Sequence, residues 1–250
     1  MIVNKILSYI DSFAPFGSQE EWDNSGLQLG SVYSDVRKVL LSLDVTMAVI
    51  EEAIVKDCNL IISHHPLIFH PLSSVQNEVS VGKKIYKLCK NEINVISAHT
   101  NLDKALVNEV LIRELGAVSY KKYCDFLYTG TLNESMDLNS FLRYCKKHLN
   151  CSGIRYVDAG KDVLHIGCCG GSGGEELYEA AKNGCDTFIT ADIKHNVWID
   201  ALEMGINLID ADHFNTEDLV IPELLYLLQT HFPEIEFSKA DSDKKVICYA

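Results

Sequence analysis

Apolar positions along this chain keep two rhythms. From Val3 to Phe13 the residues Ile6, Leu7, Ile10 and Phe13 recur at helical spacing, whereas Val39 to Val45 and Leu60 to Ser63 are short apolar runs of strand length. The same reading predicts helices over Met47 to Val55, over Lys84 to Asn91 and over Val107 to Leu115, the last closed by Gly116, with a strand over Asn94 to Ser97. Beyond a polar stretch around Cys124 and Asp125 it predicts a strand near Leu127 to Leu132, a helix from Leu138 to Leu149 and a strand from Val163 to Gly167. A glycine loop, a helix from Glu175 to Lys182, a strand Thr187 to Thr190, a helix Val197 to Glu203 and a strand Asn207 to Asp210 follow. Pro222 suits the first turn of a helix over Ile221 to Phe232, and Val246 to Tyr249 reads as a last strand. Strands alternating with helices imply an α/β protein whose parallel or mixed sheets are covered by helices.

The two halves of the pattern also match each other. Glu51 to Ser63, running into His64-His65-Pro66, has its counterpart in Tyr178 to Thr190 running into Ala191-Asp192. Ile93 to Asp103 is matched in the same way by Ile206 to Glu217. Helix, strand and polar strand end recur in one order, which reads as duplication of a single α/β unit. Two related α/β domains are expected, residues 1–125 and 126–250, with the C-terminal segment free to pack on the first. The chemistry is expected where the two sets of strand ends face each other.

Those ends carry the candidate residues. In open α/β sheets ligands bind outside the carboxyl ends of the strands. His64 and His65 follow Leu60 to Ser63, His99 and Asp103 follow Asn94 to Ser97, and His213 and Glu217 follow Asn207 to Asp210. Helix capping by Asp103 or Asn101, and a place for Glu217 in a first helical turn, are the structural alternatives. Asp44, at the end of its strand, either orients a histidine or caps a helix. Gly167 to Gly174 lacks the Gly-Lys-Ser/Thr ending of a P-loop, so it serves either anion approach by backbone N–H groups or plain tight turning. Trp22-Asp23-Asn24 either lines a cleft mouth or begins a loop over a buried indole.

Composition narrows the class. With 250 residues, 47% of them hydrophobic, the chain can bury a sizeable core. The formal charge of −13 opposes direct nucleic-acid binding, since a phosphate backbone repels such a surface. Nine scattered cysteines with no C-x-x-C read as reduced core thiols. No apolar run approaches the roughly 18 residues that span a bilayer, and Asp11 interrupts any signal-peptide core, so a soluble cytoplasmic protein with no membrane association is expected.

Five segments together resemble the Nif-three-like family, whose bacterial members are called GTP cyclohydrolase 1 type 2 homologs. They are Trp22 to Gly30, Ser63 to Phe69, Ser97 to Asp103, Cys169 to Gly173 and Asp212 to Glu217, and the likeness covers nearly the whole chain. The resemblance implies a Nif-three-like fold of two related α/β domains with a dinuclear metal centre in the cleft between them, and a ring-shaped homohexamer. By position it places the metal ligands on His64, His65, Asp103, His213 and Glu217. The chain departs from the family in Asp212 and Ala191, where glycine is usual, and it lacks the long central insertion of some members.

Three imidazoles and two carboxylates form a mixed nitrogen and oxygen set, suited to two divalent transition metal ions such as zinc, iron, manganese or cobalt. Five ligands on two ions leave open positions, so metal-dependent hydrolysis of a small, nucleotide-like or otherwise phosphorylated substrate is the expected chemistry. His99 is the candidate acid or base, or a group that supports the ligands from behind, and its structural alternative is a hydrogen bond to a loop. The alternative is a non-catalytic protein that handles metal or binds a regulatory partner.

Overall fold

The computed structural model describes residues 1–249. In chain order its elements are α1 (Val3–Phe13), β1 (Gly26–Leu29), β2 (Lys38–Ser42), α2 (Met47–Val55), β3 (Leu60–Ser63), α3 (Ser80–Lys90), β4 (Asn94–Ser97) and the single turn α4 (Thr100–Leu102). After a π-helical turn at Asp103–Val107 come α5 (Asn108–Glu114), β5 (Ala117–Lys122), β6 (Tyr128–Met136), α6 (Leu138–His148), β7 (Arg155–Val157) and β8 (Val163–Cys168). The chain continues through α7 (Leu177–Lys182), β9 (Thr187–Thr190), α8 (His195–Met204), β10 (Asn207–Asp210), α9 (His213–Glu217), α10 (Val220–His231) and β11 (Glu236–Lys239).

Two compact units form. The first contains Met1–Ala105 and Ile221–Lys244, the second Leu106–Val220 and the chain from Lys245 on. The first unit holds a five-stranded sheet of order β1-β4-β3-β2-β11. Its strands β11, β2, β3 and β4 run parallel, and β1 is antiparallel to β4. Strands β2, β3 and β4 are apolar and almost wholly buried, as central parallel strands must be when both faces are covered. Leu40, Val49, Ile50, Ile61, Ile85, Leu88 and Val95 pack together between sheet and helices. Helix α1 buries Val3, Ile6 and Ile10, one stripe at helical spacing, and Thr46 caps α2 by accepting from the Val49 N–H.

The second unit holds a six-stranded sheet, β5-β6-β8-β9-β10-β7, in which β8, β9 and β10 are parallel and the outer strands are antiparallel. Phe141, Leu142, Ile166, Ile189 and Ile209 pack in one cluster, and Leu177, Phe188, Val197 and Leu208 in another. Asp137 caps α6 through the Ser140 N–H. Gly116, at φ +84°, turns the chain out of α5 into β5, a conformation that a side chain would oppose.

Both units contain the order β-α-β-α-β, as β2-α2-β3-α3-β4 and as β8-α7-β9-α8-β10. Two expectations fail. Val246 to Tyr249 forms no strand, and the late strand is Glu236–Lys239, which adds to the edge of the first sheet beside β2. The strands β1, β5 and β7 stand where the sequence pattern placed none.

Candidate metal centre

In the first unit the register of the sheet brings the candidate residues together. Ser42, Ser63 and Ser97 are aligned across β2, β3 and β4, so the segments leaving β3 and β4 emerge side by side. Ser63 and Ser97 fix this edge through an Oγ to Oγ contact of 2.8 Å, and the Ser63 hydroxyl also donates to the His65 carbonyl. His64, His65 and His99 each offer a ring nitrogen, all within 4.8 Å of one another. Asp103 joins them, its Oδ1 being 3.4 Å from His64 Nε2. The His64 side chain is fully buried.

The partners of the ring nitrogens determine what the rings can offer. His64 Nδ1 lies 2.9 Å from the Ala98 carbonyl oxygen, His65 Nδ1 2.9 Å from Asp44 Oδ1 and His99 Nδ1 2.7 Å from Asp23 Oδ1. A carbonyl or carboxylate oxygen only accepts, so each Nδ1 carries the proton, and a neutral ring presents the lone pair of Nε2. This is the arrangement that fixes the tautomer of metal-binding histidines. Asp23 is held most firmly. Its carboxylate also accepts from the Asn24 and Thr100 N–H groups and from the Ser25 and Thr100 hydroxyls. Burial would raise its pKa, but the hydrogen bonds from His99 and Thr100 outweigh burial and hold the carboxyl well below the usual range.

The second unit builds its set on α9, which begins just past β10. His213 and Glu217 are one helical turn apart, with Nε2 2.9 Å from Glu217 Oε2. His213 Nδ1 is tied to Asp192 Oδ2 at 2.6 Å, and Asp192 lies just past the end of β9. The glycine loop after β8 supports Glu217. A Cβ on Gly171 would stand 2.1 Å from Glu217 Oε1, and the residue sits at φ +59°. Only glycine leaves the carboxylate its place. Four of the loop N–H groups already have protein acceptors: Ile189 O for Cys169, Asn108 Oδ1 for Gly170, Thr216 Oγ1 for Gly171 and Thr190 Oγ1 for Gly173. Of the two readings of this loop, close packing is the one its hydrogen bonding supports.

The donor set fits divalent metal. A ring nitrogen lone pair and a carboxylate oxygen repel each other at 2.9 or 3.4 Å unless a proton or a metal ion lies between them. Two donors held by one ion at bonds of about 2.1 Å stand roughly 3.0–3.4 Å apart, close to the 2.9 and 3.4 Å of these pairs.

The sequence profile of Duf34/NIF3 (NGG1p interacting factor 3) matches residues 1–245. The chain belongs to that family. A Clostridium acetobutylicum relative named GTP cyclohydrolase 1 type 2 homolog is 37% identical over 227 residues, covering 86% of this chain and 85% of its own. A Helicobacter pylori relative named GTP cyclohydrolase 1 type 2 is 30% identical over 232 residues, covering 90% and 92%. Among solved structures, a Staphylococcus aureus hypothetical protein superposes with a TM-score of 0.91 at 29% identity, covering 100% of this chain and 99% of the other.

Within the Duf34/NIF3 fold, one departure anticipated from the sequence has a physical account. Asp212 sits at φ +71°, where glycine is favoured, and it caps α9 by accepting from the Phe214 N–H. The Tyr249 hydroxyl donates to its other oxygen at 3.2 Å. Burial first and the Asp212 charge second push that phenol up to about 12, so it remains a donor. The cap and this hydrogen bond offset the backbone strain. Sequence reasoning missed Asp192, Asp23 and the Ala98 carbonyl as the groups that orient His213, His99 and His64. It raised Asp44 for orientation or for capping. The contact with His65 is orientation, while Thr46 caps α2. The indole of Trp22 is not buried but 58% exposed.

Proposed function

We propose that this Duf34/NIF3 protein is a metal-dependent hydrolase of a small nucleotide-like or phosphorylated molecule, with two divalent ions held by His64, His65, Asp103, His213 and Glu217. The observation that carries the reading is the Nδ1 contact of each histidine to a carbonyl or carboxylate oxygen, which makes Nε2 the nitrogen each ring would turn to a metal. When bound, a pair of such ions supplies Lewis acidity and makes water more acidic near neutral pH. The residues themselves supply position and proton handling. Asp44 and Asp192 orient His65 and His213, and Gly171 leaves room for the Glu217 carboxylate. His99, its Nδ1–H fixed on Asp23, keeps Nε2 directed toward His64 and His65, where it accepts a proton from the attacking group and returns it to the leaving group. The relatives' name suggests GTP as the first substrate to try, and the family resemblance suggests a homohexamer acting in the cytoplasm.

The test is elemental analysis of protein purified without added metal or chelator, beside the His65→Ala, His213→Ala double variant, followed by a hydrolysis screen beginning with GTP. About two transition-metal equivalents per chain, lost in the variant, with turnover that disappears with them, is the expected result. Metal in neither protein after reconstitution with zinc, manganese and iron would end the hydrolase reading. Two equivalents without turnover on any substrate would favour the non-catalytic role in metal handling or partner binding.

A further inference from the structure

Residues 245–249 form no regular element, yet they are held to the second unit at two places. Lys245 Nζ donates to the Ser152 hydroxyl and, at 3.4 Å, to the Asn150 carbonyl. Four residues later the Tyr249 ring lies against Gly153, where a Cβ would stand 2.3 Å from the ring Cδ1, and the phenol donates to Asp212 at 3.2 Å. Between these contacts Val246 is 87% exposed, and apolar area that remains in water stabilises nothing. The segment is fastened without being part of a core.

Both fastenings meet the supports of α9. Asn215, in the middle of that helix, donates from Nδ2 to the Leu149 and Asn150 carbonyls, so Asn215 and Lys245 share the Asn150 oxygen. Asp212, the cap of α9, accepts from the Phe214 N–H on Oδ1 at 3.1 Å and from the Tyr249 hydroxyl on Oδ2. Its own carbonyl accepts from the Thr216 N–H. Asp212 keeps this pose at φ +71°, which a side chain resists, and His213 is the next residue. Asp192 sets how the His213 ring is turned, and Asp212 sets where that ring leaves the backbone. Glu217 follows one helical turn later.

We infer that segment 245–249 is a strap for the metal helix, and that Tyr249 is a positioning residue which, through Asp212, fixes the His213 and Glu217 donors for a divalent ion. A carboxylate engaged on both oxygens cannot swing, so the strained backbone at Asp212 stays in the one conformation that aims α9. Lys245 anchors the segment close to Tyr249, so the phenol is delivered on a short tether. Donors set in advance take up an ion without first being ordered, and that saving appears as affinity. The inference rests on the metal reading of His213 and Glu217, whereas the hold on α9 exists without metal.

The experiment uses the full chain and three substitutions. Tyr249→Phe keeps the ring and removes the donor, Gly153→Ala keeps the donor and displaces the ring, and Asp212→Gly removes the acceptor while accepting φ +71° without strain. Hydrogen exchange of the Phe214 and Thr216 amides is followed in chelator-treated protein. Affinity and visible absorption are measured with cobalt(II), whose bands report its coordination geometry. Tyr249→Phe and Gly153→Ala should each speed that exchange about five-fold, weaken cobalt binding about ten-fold and shift the bands. The melting temperature of the chelator-treated protein should stay within about 2 °C of the parent. On an Asp212→Gly background Tyr249→Phe should add nothing, because the acceptor is gone. An equal effect of Tyr249→Phe with and without Asp212 would overturn the inference. Cobalt bound by the parent, with exchange, affinity and bands all unchanged in Tyr249→Phe, would sink the strap alone. No cobalt on the parent, with exchange quickened in Tyr249→Phe, would sink the metal reading and leave only the hold on α9.

Discussion

A histidine gives a metal only the nitrogen it is not using elsewhere, so the groups behind the rings matter as much as the rings. Asp44 and Asp192 are half-exposed carboxylates whose removal leaves the packed core alone. Asp44→Ala and Asp192→Ala should each lower metal affinity about 10–100-fold, measured by competition with a chromophoric chelator, while the melting temperature of the chelator-treated protein stays within about 2 °C of the parent. Gly171→Ala belongs with them, because a methyl there meets the Glu217 carboxylate. The expected outcome is loss of at least half the bound metal by elemental analysis, and unchanged stoichiometry would disprove that role for the glycine. At this level the sequence was partly readable. Histidines and carboxylates at strand ends announce themselves, and the i, i+4 spacing of His213 and Glu217 makes them helix neighbours. The orienting partners do not announce themselves: Asp23 lies 76 positions from His99, and only the folded register brings such groups together.

Regular elements follow the apolar rhythm wherever burial is high. Helix α1 and strand β3 lie where spacing and run length put them, since each buries a continuous stripe or both faces. Strand β5 was unreadable because all its residues but one are exposed and it owes its pairing to β6, and β11 because only Phe237 among its four residues is buried. Strand β11 is fastened by what comes after it. The Glu52 carboxylate on α2 accepts from the Asp241 and Ser242 N–H groups at 2.9 and 2.7 Å and pairs with Lys56. Burial opposes its ionisation, but hydrogen bonds from Lys56 and from Ser242 outweigh burial and bring its pKa down to about 2. A depressed carboxyl stabilises the fold above its unfolded value of 4.5 and ceases to do so as pH falls toward 2. Glu52→Gln should therefore lower the melting temperature at pH 7 by about 2–6 °C. Its deficit should shrink between pH 4.5 and 2, and a deficit independent of pH would exclude the linkage.

The full chain has two properties that no single element carries. Its formal charge of −13 repels anions at a distance, so association with a triphosphate should speed up as salt rises from 10 to 200 mM, which stopped-flow mixing would register. Its cysteines differ widely in burial, with Cys124 between the extremes. Cys89 and Cys248 are exposed, whereas burial pushes Cys151 up to about 12 and Cys185 up to about 11, with Cys145 and Cys168 also raised. A chromogenic disulfide reagent at pH 8 should modify those two thiols quickly and the buried ones only after unfolding. Scattered, unpaired cysteines had suggested as much, because no spacing among them suited a metal.

The five-stranded sheet is made from the two ends of its unit's chain. Strand β2 pairs with β11, and Asp243 accepts from the N–H groups of Leu43 and of Asp44, the carboxylate that steers His65. During synthesis, at about 5–20 residues per second, β2 leaves the ribosome some tens of seconds before its neighbour exists. The first unit therefore waits with an open sheet edge, a state prone to wrong pairing, while Leu106–Val220 emerges as one uninterrupted stretch that can fold first. A chain halted after Val220 has left the ribosome and before Glu236 has done so would thus hold the main stretch of the second unit ready while the first is still exposed to chaperones and proteases.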